Sequence, residues 1–222
     1  MQRILLFLTI AAFGPLALAA GSGADPSGGG PSGPMGAQTV KTPEQVAASE
    51  YKAGLRHKKK AWKQEGKAQT AKTDKKRDKA LARAQKEYTK AIGNYATALQ
   101  AVPRYAEAAN ELGYALRKTG QYKKAIGAYN YALEIKPDFN EAIEYRGEAF
   151  LALGLVDEAK KAYMQLFRAD RDLAGQLMDA MDMWLVGQTN TEGTASFSSW
   201  VSERKHLAEV TQDLSVNNKR EW

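Results

Sequence analysis

Residues 110–137 read NELGYALRKTGQYKKAIGAYNYALEIKP. This stretch holds two segments with helical spacing of apolar residues, one on each side of Gly120. Gly113 and Ala125 are small residues inside these segments, which predicts that the two helices approach each other closely there. Gly120 permits a positive φ at the turn, and Pro137 stops the second helix. The stretch therefore predicts a helical hairpin.

This hairpin recurs along the chain at a fixed period. Three sets of evenly spaced positions carry the period: Ala91, Ala125 and Ala159; Tyr95, Tyr129 and Tyr163; Ala98, Ala132 and Leu166. Gly113 matches Gly147, and Pro103 matches Pro137. Two helices in a unit of roughly 34 residues is the tetratricopeptide repeat pattern, and the chain resembles that family from about residue 42 to residue 171.

The resemblance implies an all-α fold, an α-solenoid of about three helical hairpins. Gly54 resembles the motif glycine of the first hairpin, but Ala91 follows it by 37 residues, whereas Ala125 follows Gly113 by 12. About 25 extra residues therefore predict an elongated first hairpin, with roughly three extra turns on each helix. Because the last hairpin leaves an apolar face, we expect capping helices within 172–222, at 172–185 and, further on, at 196–214.

Residues 1–20, MQRILLFLTIAAFGPLALAA, have a basic start, an apolar run and small residues at a typical cleavage site. They predict a cleaved export signal, with an uncleaved membrane anchor and a fortuitous apolar start as the alternatives. Residues 21–41 are rich in Gly, Pro and Ser and predict a flexible linker. The sequence thus predicts a bacterial protein exported to the periplasm or secreted.

A partner-binding groove is what the family resemblance implies for the first helix of each hairpin. On the second and third hairpins the groove positions are Glu107, Asn110, Tyr114, Arg117, Lys118, Glu141, Glu144 and Glu148. We expect these side chains to be exposed. A tyrosine among several carboxylates favours a peptide that bears Lys or Arg. The alternative is that they are exposed helix residues without a partner.

The positive charge of the chain is concentrated on the elongated hairpin. Residues 41–90 hold 16 Lys and Arg against 6 Asp and Glu. The basic hairpin residues are Lys58, Lys59, Lys60, Lys63, Lys75, Lys76 and Arg77. They favour contact with an anionic membrane or cell-wall polymer, or with an acidic partner; the alternative is a solvated helix rich in lysine. No nucleic acid partner is expected, because the aromatic residues fall at packing positions.

Nothing in the sequence predicts catalysis, a cofactor or a metal. Cysteine is absent, and the two histidines, His57 and His206, have no acidic pattern near them in the sequence. The methionines at 178, 181 and 183 are interpreted as core residues of the capping helix. The sequence therefore predicts a non-catalytic interaction module, a scaffold or adaptor for a protein or peptide in the bacterial envelope. The second hypothesis is a structural protein whose basic hairpin docks on an anionic surface.

Overall fold

The computed structural model describes residues 40–188 and 193–217, with side chains up to residue 211. Within these residues the secondary structure is entirely α-helical, which confirms the all-α prediction. The helices are α1 Pro43–Gln69, α2 Asp74–Ala101, α3 Ala106–Lys118, α4 Tyr122–Ile135, α5 Asn140–Ala152, α6 Val156–Ala169, α7 Arg171–Val186 and α8 Ala195–Asn217. The predicted export signal and all of the predicted linker except its last two residues lie outside the described residues.

The helices form successive hairpins that stack in chain order. α1 pairs with α2, α3 with α4 and α5 with α6, while α2 contacts α3 and α4 contacts α5. α7 packs against both α5 and α6, in the position that the first helix of a further hairpin would take. No helix in the described part of the chain is both long enough and apolar enough to span a membrane.

The positions that recur from one repeat to the next form the core of each hairpin. The alanines at 91, 125 and 159 are 0% exposed, and the tyrosines at 95, 129 and 163 are at most 2% exposed. A small residue on one helix leaves room for a large ring from the other, so the hairpins pack without voids. This burial confirms that the period identifies the core.

Gly113 lies where the two helices of the middle hairpin come closest. A Cβ atom at this position would lie 2.6 Å from the ring of Tyr129. At the turn that follows α3, Gly120 has a φ of 76°, and Gly154 has a φ of 71° at the matching turn after α5. Both turns therefore use the left-handed backbone region that the sequence predicted for Gly120.

The first hairpin is elongated as predicted, and by more than predicted. α1 and α2 have 27 and 28 residues, whereas α3 and α4 have 13 and 14. Each long helix therefore has about four additional turns, not three. Thr42 and Gln45 form a capping box at the start of α1. The turn between the helices is at 70–73, so Gly66 lies inside α1.

The C-terminal end of the stack is covered by α7 and α8. The helix predicted at 172–185 is present as α7, and its buried apolar residues include Leu173, Leu177, Met181 and Trp184. Phe197 and Val201 attach the first half of α8 to this core. Met183 is 39% exposed, so its interpretation as a core residue is wrong, although Met178 and Met181 are buried.

Candidate protein-binding surface

The predicted groove positions lie on α3 and α5; side chains of α1 contact α3, and α3 contacts α5. We call the surface formed by α1, α3 and α5 the A face. At its first turns, the ring of Tyr51 on α1 lies 5.0 Å from the ring of Tyr105, the residue that precedes α3. Burial, followed by the charge of Glu111, raises the pKa of Tyr51 to about 12. This end of the A face is therefore closed by two packed, neutral tyrosines.

Tyr114 is the centre of an aromatic cluster on the A face. Its ring is 7% exposed and lies 6.2 Å from Trp62 on α1, 6.1 Å from Tyr88 on α2 and 5.2 Å from Tyr145 on α5. The Trp62 indole Nε1 donates a hydrogen bond of 2.8 Å to the Tyr114 hydroxyl. One predicted groove residue thus joins four helices, so its main role is packing.

A buried ion pair links α3 to α5. The Arg117 guanidinium donates to the Glu148 carboxylate, and the two residues are 8% and 4% exposed. The guanidinium also lies 5.3 Å from the ring centre of Tyr114 and 5.4 Å from that of Tyr145. Burial acts most strongly and would lower the pKa of Arg117, but the charge of Glu148 together with those of Tyr129, Tyr114 and Glu144 outweighs it, and the pKa is raised. The arginine therefore stays charged and bound to its partner inside the stack.

Lys58 is the one predicted residue of the basic hairpin that is buried in the structure. It is 7% exposed, and its Nζ lies 2.7 Å from each carboxylate oxygen of Glu111 on α3. The same Nζ lies 4.3 Å from the ring centre of Tyr114 and 4.9 Å from that of Trp62. The prediction that Lys58 belongs to an exposed basic surface is wrong, because the residue faces α3. The other six predicted residues of the basic hairpin are exposed.

The expectation that the groove positions are exposed is wrong for most of them. Five are buried, namely Asn110, Tyr114, Arg117, Glu144 and Glu148. Lys118 is half-buried, with its Nζ 2.6 Å from Glu65 on α1. Glu107 and Glu141 are exposed as expected. The physical reason is that Trp62 and Glu65 of α1 contact Tyr114 and Lys118. Arg117 and Glu148 are buried against each other as an ion pair between α3 and α5. Whether these positions bind a partner stays a prediction.

Trp62 is the exposed residue of the A face that the groove prediction missed. Its side chain is 48% exposed although its indole N–H is bonded to Tyr114. In the sequence, Trp62 lies at near-helical spacing from Tyr51 and Leu55, a spacing that is typical of packing positions. The residue lies beyond the length of an ordinary first helix, so the family positions do not include it. Extending this helical spacing along α1 would have identified it.

His57 has an acidic partner that the sequence did not suggest. Its Nδ1 lies 2.7 Å from the Glu87 carboxylate on α2, which is 30 residues away in the chain. Glu87 also accepts a hydrogen bond of 3.0 Å from Lys90. The hydrogen bond to His57, first, and the contact with Lys90 lower the pKa of Glu87. The pair joins the two helices of the elongated hairpin.

Comparison with known proteins finds one kind of repeat in this arrangement. Two models described as tetratricopeptide repeat match residues 80–140 and 146–173. These two segments are therefore tetratricopeptide repeats. The first match extends from the first half of α2 to the start of α5, and the second covers α5 from residue 146 through the first residues of α7. Tetratricopeptide repeats are protein–protein interaction modules, and the two matches support this function class for the matched segments.

Among solved structures, the chain is similar to the first tetratricopeptide domain of Spaghetti (RPAP3) bound to the HSP90 peptide SRMEEVD. The two are 20% identical, the match covers 60% of this chain and 94% of that one, and the TM-score is 0.43. No curated protein matches the chain. The assignment of tetratricopeptide repeats to this protein therefore depends on the matches to the family models and on the observed stack of hairpins.

Proposed function

We propose that the protein is a non-catalytic adaptor that binds a partner protein or peptide on its A face, with Trp62 as the central contact. The observation that carries the proposal is a tryptophan that is 48% exposed and yet fixed in orientation. Its N–H is satisfied by Tyr114, and its ring is edge-on to the Tyr114 ring. A side chain that is already ordered loses little entropy when a partner binds. Tryptophan is also a residue type that often dominates binding energy.

The chemistry around Trp62 suggests what the partner offers. An exposed indole ring suits an apolar or aromatic side chain of the partner. Glu107 and Glu141 are exposed carboxylates in the first turns of α3 and α5, on the same side of the hairpins. They suit a Lys or Arg of the partner at some distance from the apolar side chain that contacts Trp62. The proposed partner segment therefore combines an apolar contact with basic residues.

The place of action in this proposal is the bacterial envelope. The support is the sequence of residues 1–20, which has the composition of an export signal, followed by a Gly-, Pro- and Ser-rich linker that gives the repeats reach. N-terminal sequencing of the protein recovered from cells should give a first residue near Ala20 or Gly21. An intact Met1 in the membrane pellet would contradict cleavage and favour the anchored form.

Site-specific photo-crosslinking in cells tests the adaptor role. A photoreactive amino acid at position 62 should give a discrete adduct with one protein, which mass spectrometry then identifies. The matched control is position 131, because Tyr131 on α4 is also a part-exposed aromatic residue, at 37%. The proposal fails if position 62 gives no adduct, or if positions 62 and 131 give the same set of adducts.

A second candidate function is favoured by the elongated hairpin. Six of its predicted basic residues are exposed, and α1 and α2 are about twice as long as the other helices of the repeats. In this alternative the hairpin docks on an anionic membrane or cell-wall polymer through long-range attraction. Such docking should weaken steeply with salt, because exposed charges are screened over about 8 Å at physiological ionic strength.

A further inference from the structure

A cleft lies between the two long helices on the elongated hairpin. It has a volume of about 290 Å³, and it is lined by Lys60 and Gln64 of α1 and by Arg83, Lys86, Glu87 and Lys90 of α2. The lining residues are spaced by three or four along each helix, so each helix turns one stripe toward the cleft. Four basic side chains and one carboxylate therefore surround a single depression.

Three of these cations have no ion pair with any described residue, namely Lys60, Arg83 and Lys86. These three side chains are exposed, whereas the buried Lys58 is paired with Glu111 and the half-buried Lys118 with Glu65. Like charges that face one depression repel each other, and a bound anion removes this cost. The cleft is therefore a place where an anion would stabilise the folded protein.

The remaining lining residues complete the cleft. Glu87 does not cancel the positive charge, because its carboxylate is shared by His57 at 2.7 Å and Lys90 at 3.0 Å on one edge. The Gln64 Oε1 atom is buried and has no hydrogen-bond partner. A phosphate oxygen needs a donor, and rotation of the Gln64 side chain can present its amide nitrogen as one. An unpaired amide that lines a basic cleft therefore gains a partner when an anion binds.

We propose that this cleft binds a ligand that carries two or more phosphate groups. An arginine offers a planar pair of donors that matches phosphate oxygens, and lysines add point charges around it. Four cations against one carboxylate line the cleft, so linked phosphates match its charge better than a single phosphate group does. The site is independent of the adaptor role, and it rests on the second candidate function only in naming the chemistry that the hairpin would recognise.

Calorimetric titration of the full chain with inorganic tripolyphosphate at low salt tests the site. The cleft variant carries Lys60→Gln, Arg83→Gln and Lys86→Gln. The matched tip variant carries Lys75→Gln, Lys76→Gln and Arg77→Gln, which removes the same charge from exposed positions on the same hairpin. The cleft variant should lose affinity by at least about tenfold, and the tip variant should stay within about twofold of the wild type.

A third variant separates a built site from general attraction. Gln64→Leu leaves the charge unchanged, so a diffuse field predicts no effect, whereas the proposed site predicts a several-fold loss. Circular dichroism should show unchanged helix content for all three variants. The proposal is overturned if wild type does not bind tripolyphosphate at millimolar concentration. It is also overturned if cleft and tip variants lose affinity equally, or if Gln64→Leu binds like the wild type.

Sedimentation with phosphatidylglycerol vesicles distinguishes the sources of the phosphate. If the cleft variant loses vesicle binding and the tip variant keeps it, lipid headgroups are one source of the phosphate. Tripolyphosphate binding without vesicle binding identifies a soluble oligophosphate, which removes membrane docking from the second candidate function but leaves the site. Absence of a cross-linked partner at position 62 would remove the adaptor role and would also leave this site.

Discussion

At the scale of single residues, position 113 requires glycine because the Tyr129 ring of α4 lies against it. Gly113→Ala places a methyl group 2.6 Å from the Tyr129 ring, and this ring is 0% exposed and cannot move aside. We expect the free energy of unfolding to fall by about 1–3 kcal/mol. Urea denaturation measures it. Gly127→Ala on α4 is the matched control, because nothing lies near its added methyl group. That change should stabilise by about 0.5–1 kcal/mol.

The Arg117–Glu148 pair supports a second residue-scale prediction. Arg117→Met leaves the Glu148 carboxylate buried without its partner, and we expect a loss of about 3–5 kcal/mol in the free energy of unfolding. The double variant Arg117→Met with Glu148→Leu removes both charges and should be clearly more stable than the single variant. Chemical denaturation of the two variants measures the difference. Additive losses in the double variant would mean that the two residues do not interact.

The burial of Lys58 is a contact that the sequence does not predict. Lys58 stands between exposed lysines in RHKKKAWK, so composition gives no reason to separate it from Lys59 and Lys60. Only its helical phase, one turn from Gly54 and Trp62, distinguishes it, and the partner Glu111 is 53 residues away. The extra residues of the first hairpin break the period of the repeats. Therefore the period cannot tell which residues of α1 face α3.

At the scale of elements, the His57–Glu87 contact couples α1 to α2 and makes the hairpin sensitive to acid. The pKa of Glu87 is lowered in the folded state, so its contribution to stability is present above the unfolded pKa and is lost as pH falls through the folded pKa. We expect Glu87→Gln to be less stable than the wild type at pH 6. This difference should shrink as pH falls below the ordinary glutamate value of about 4.3. Thermal denaturation across pH tests it, and a constant difference would contradict the assignment.

The attachment of α8 is a second prediction at this scale. Phe197 is 2% exposed, with its ring 5.7 Å from Trp184 on α7 and 6.3 Å from Trp200. Phe197→Ala should cost about 3–5 kcal/mol of the local packing, so α8 should open before the repeats. Hydrogen exchange should be faster in α8 and unchanged in α3 and α4. Leu207→Ala in the same helix is the control, because Leu207 is 38% exposed. Equal effects of the two changes would mean that Phe197 does not hold α8.

The helices themselves were predictable because their signals are local. Thr42 with Gln45, Gly120 at its turn and Pro137 after α4 each act within a few residues. The packing surface of each hairpin also recurs, so one hairpin identifies the next. The A face is different, since the burial of Tyr114 depends on α1, α2 and α5 together. Such a contact has no local signal in the sequence.

At the scale of the whole molecule, α5 joins the two halves of the stack. Tyr145 and Ala149 belong to the core cluster of the first two hairpins, whereas Ile143 and Leu151 belong to the cluster of α6, α7 and α8. In a stack of repeats, stability comes from each hairpin and its nearest neighbours. The buried Arg117–Glu148 pair crosses this junction. The A face is therefore a rigid surface on which the exposed part of Trp62 is held in place.

The role of Trp62 as the central contact is tested by the affinity of the cross-linked partner for the Trp62→Ala variant. Titration of the purified partner should show a loss of about 2 kcal/mol or more in binding free energy, on the order of 30-fold in Kd. Tyr131→Ala should bind like the wild type, and both variants should keep the wild-type helix content. Binding through Trp62 is contradicted if Trp62→Ala binds the partner as tightly as the wild type. It is also contradicted if Tyr131→Ala loses as much affinity as Trp62→Ala does.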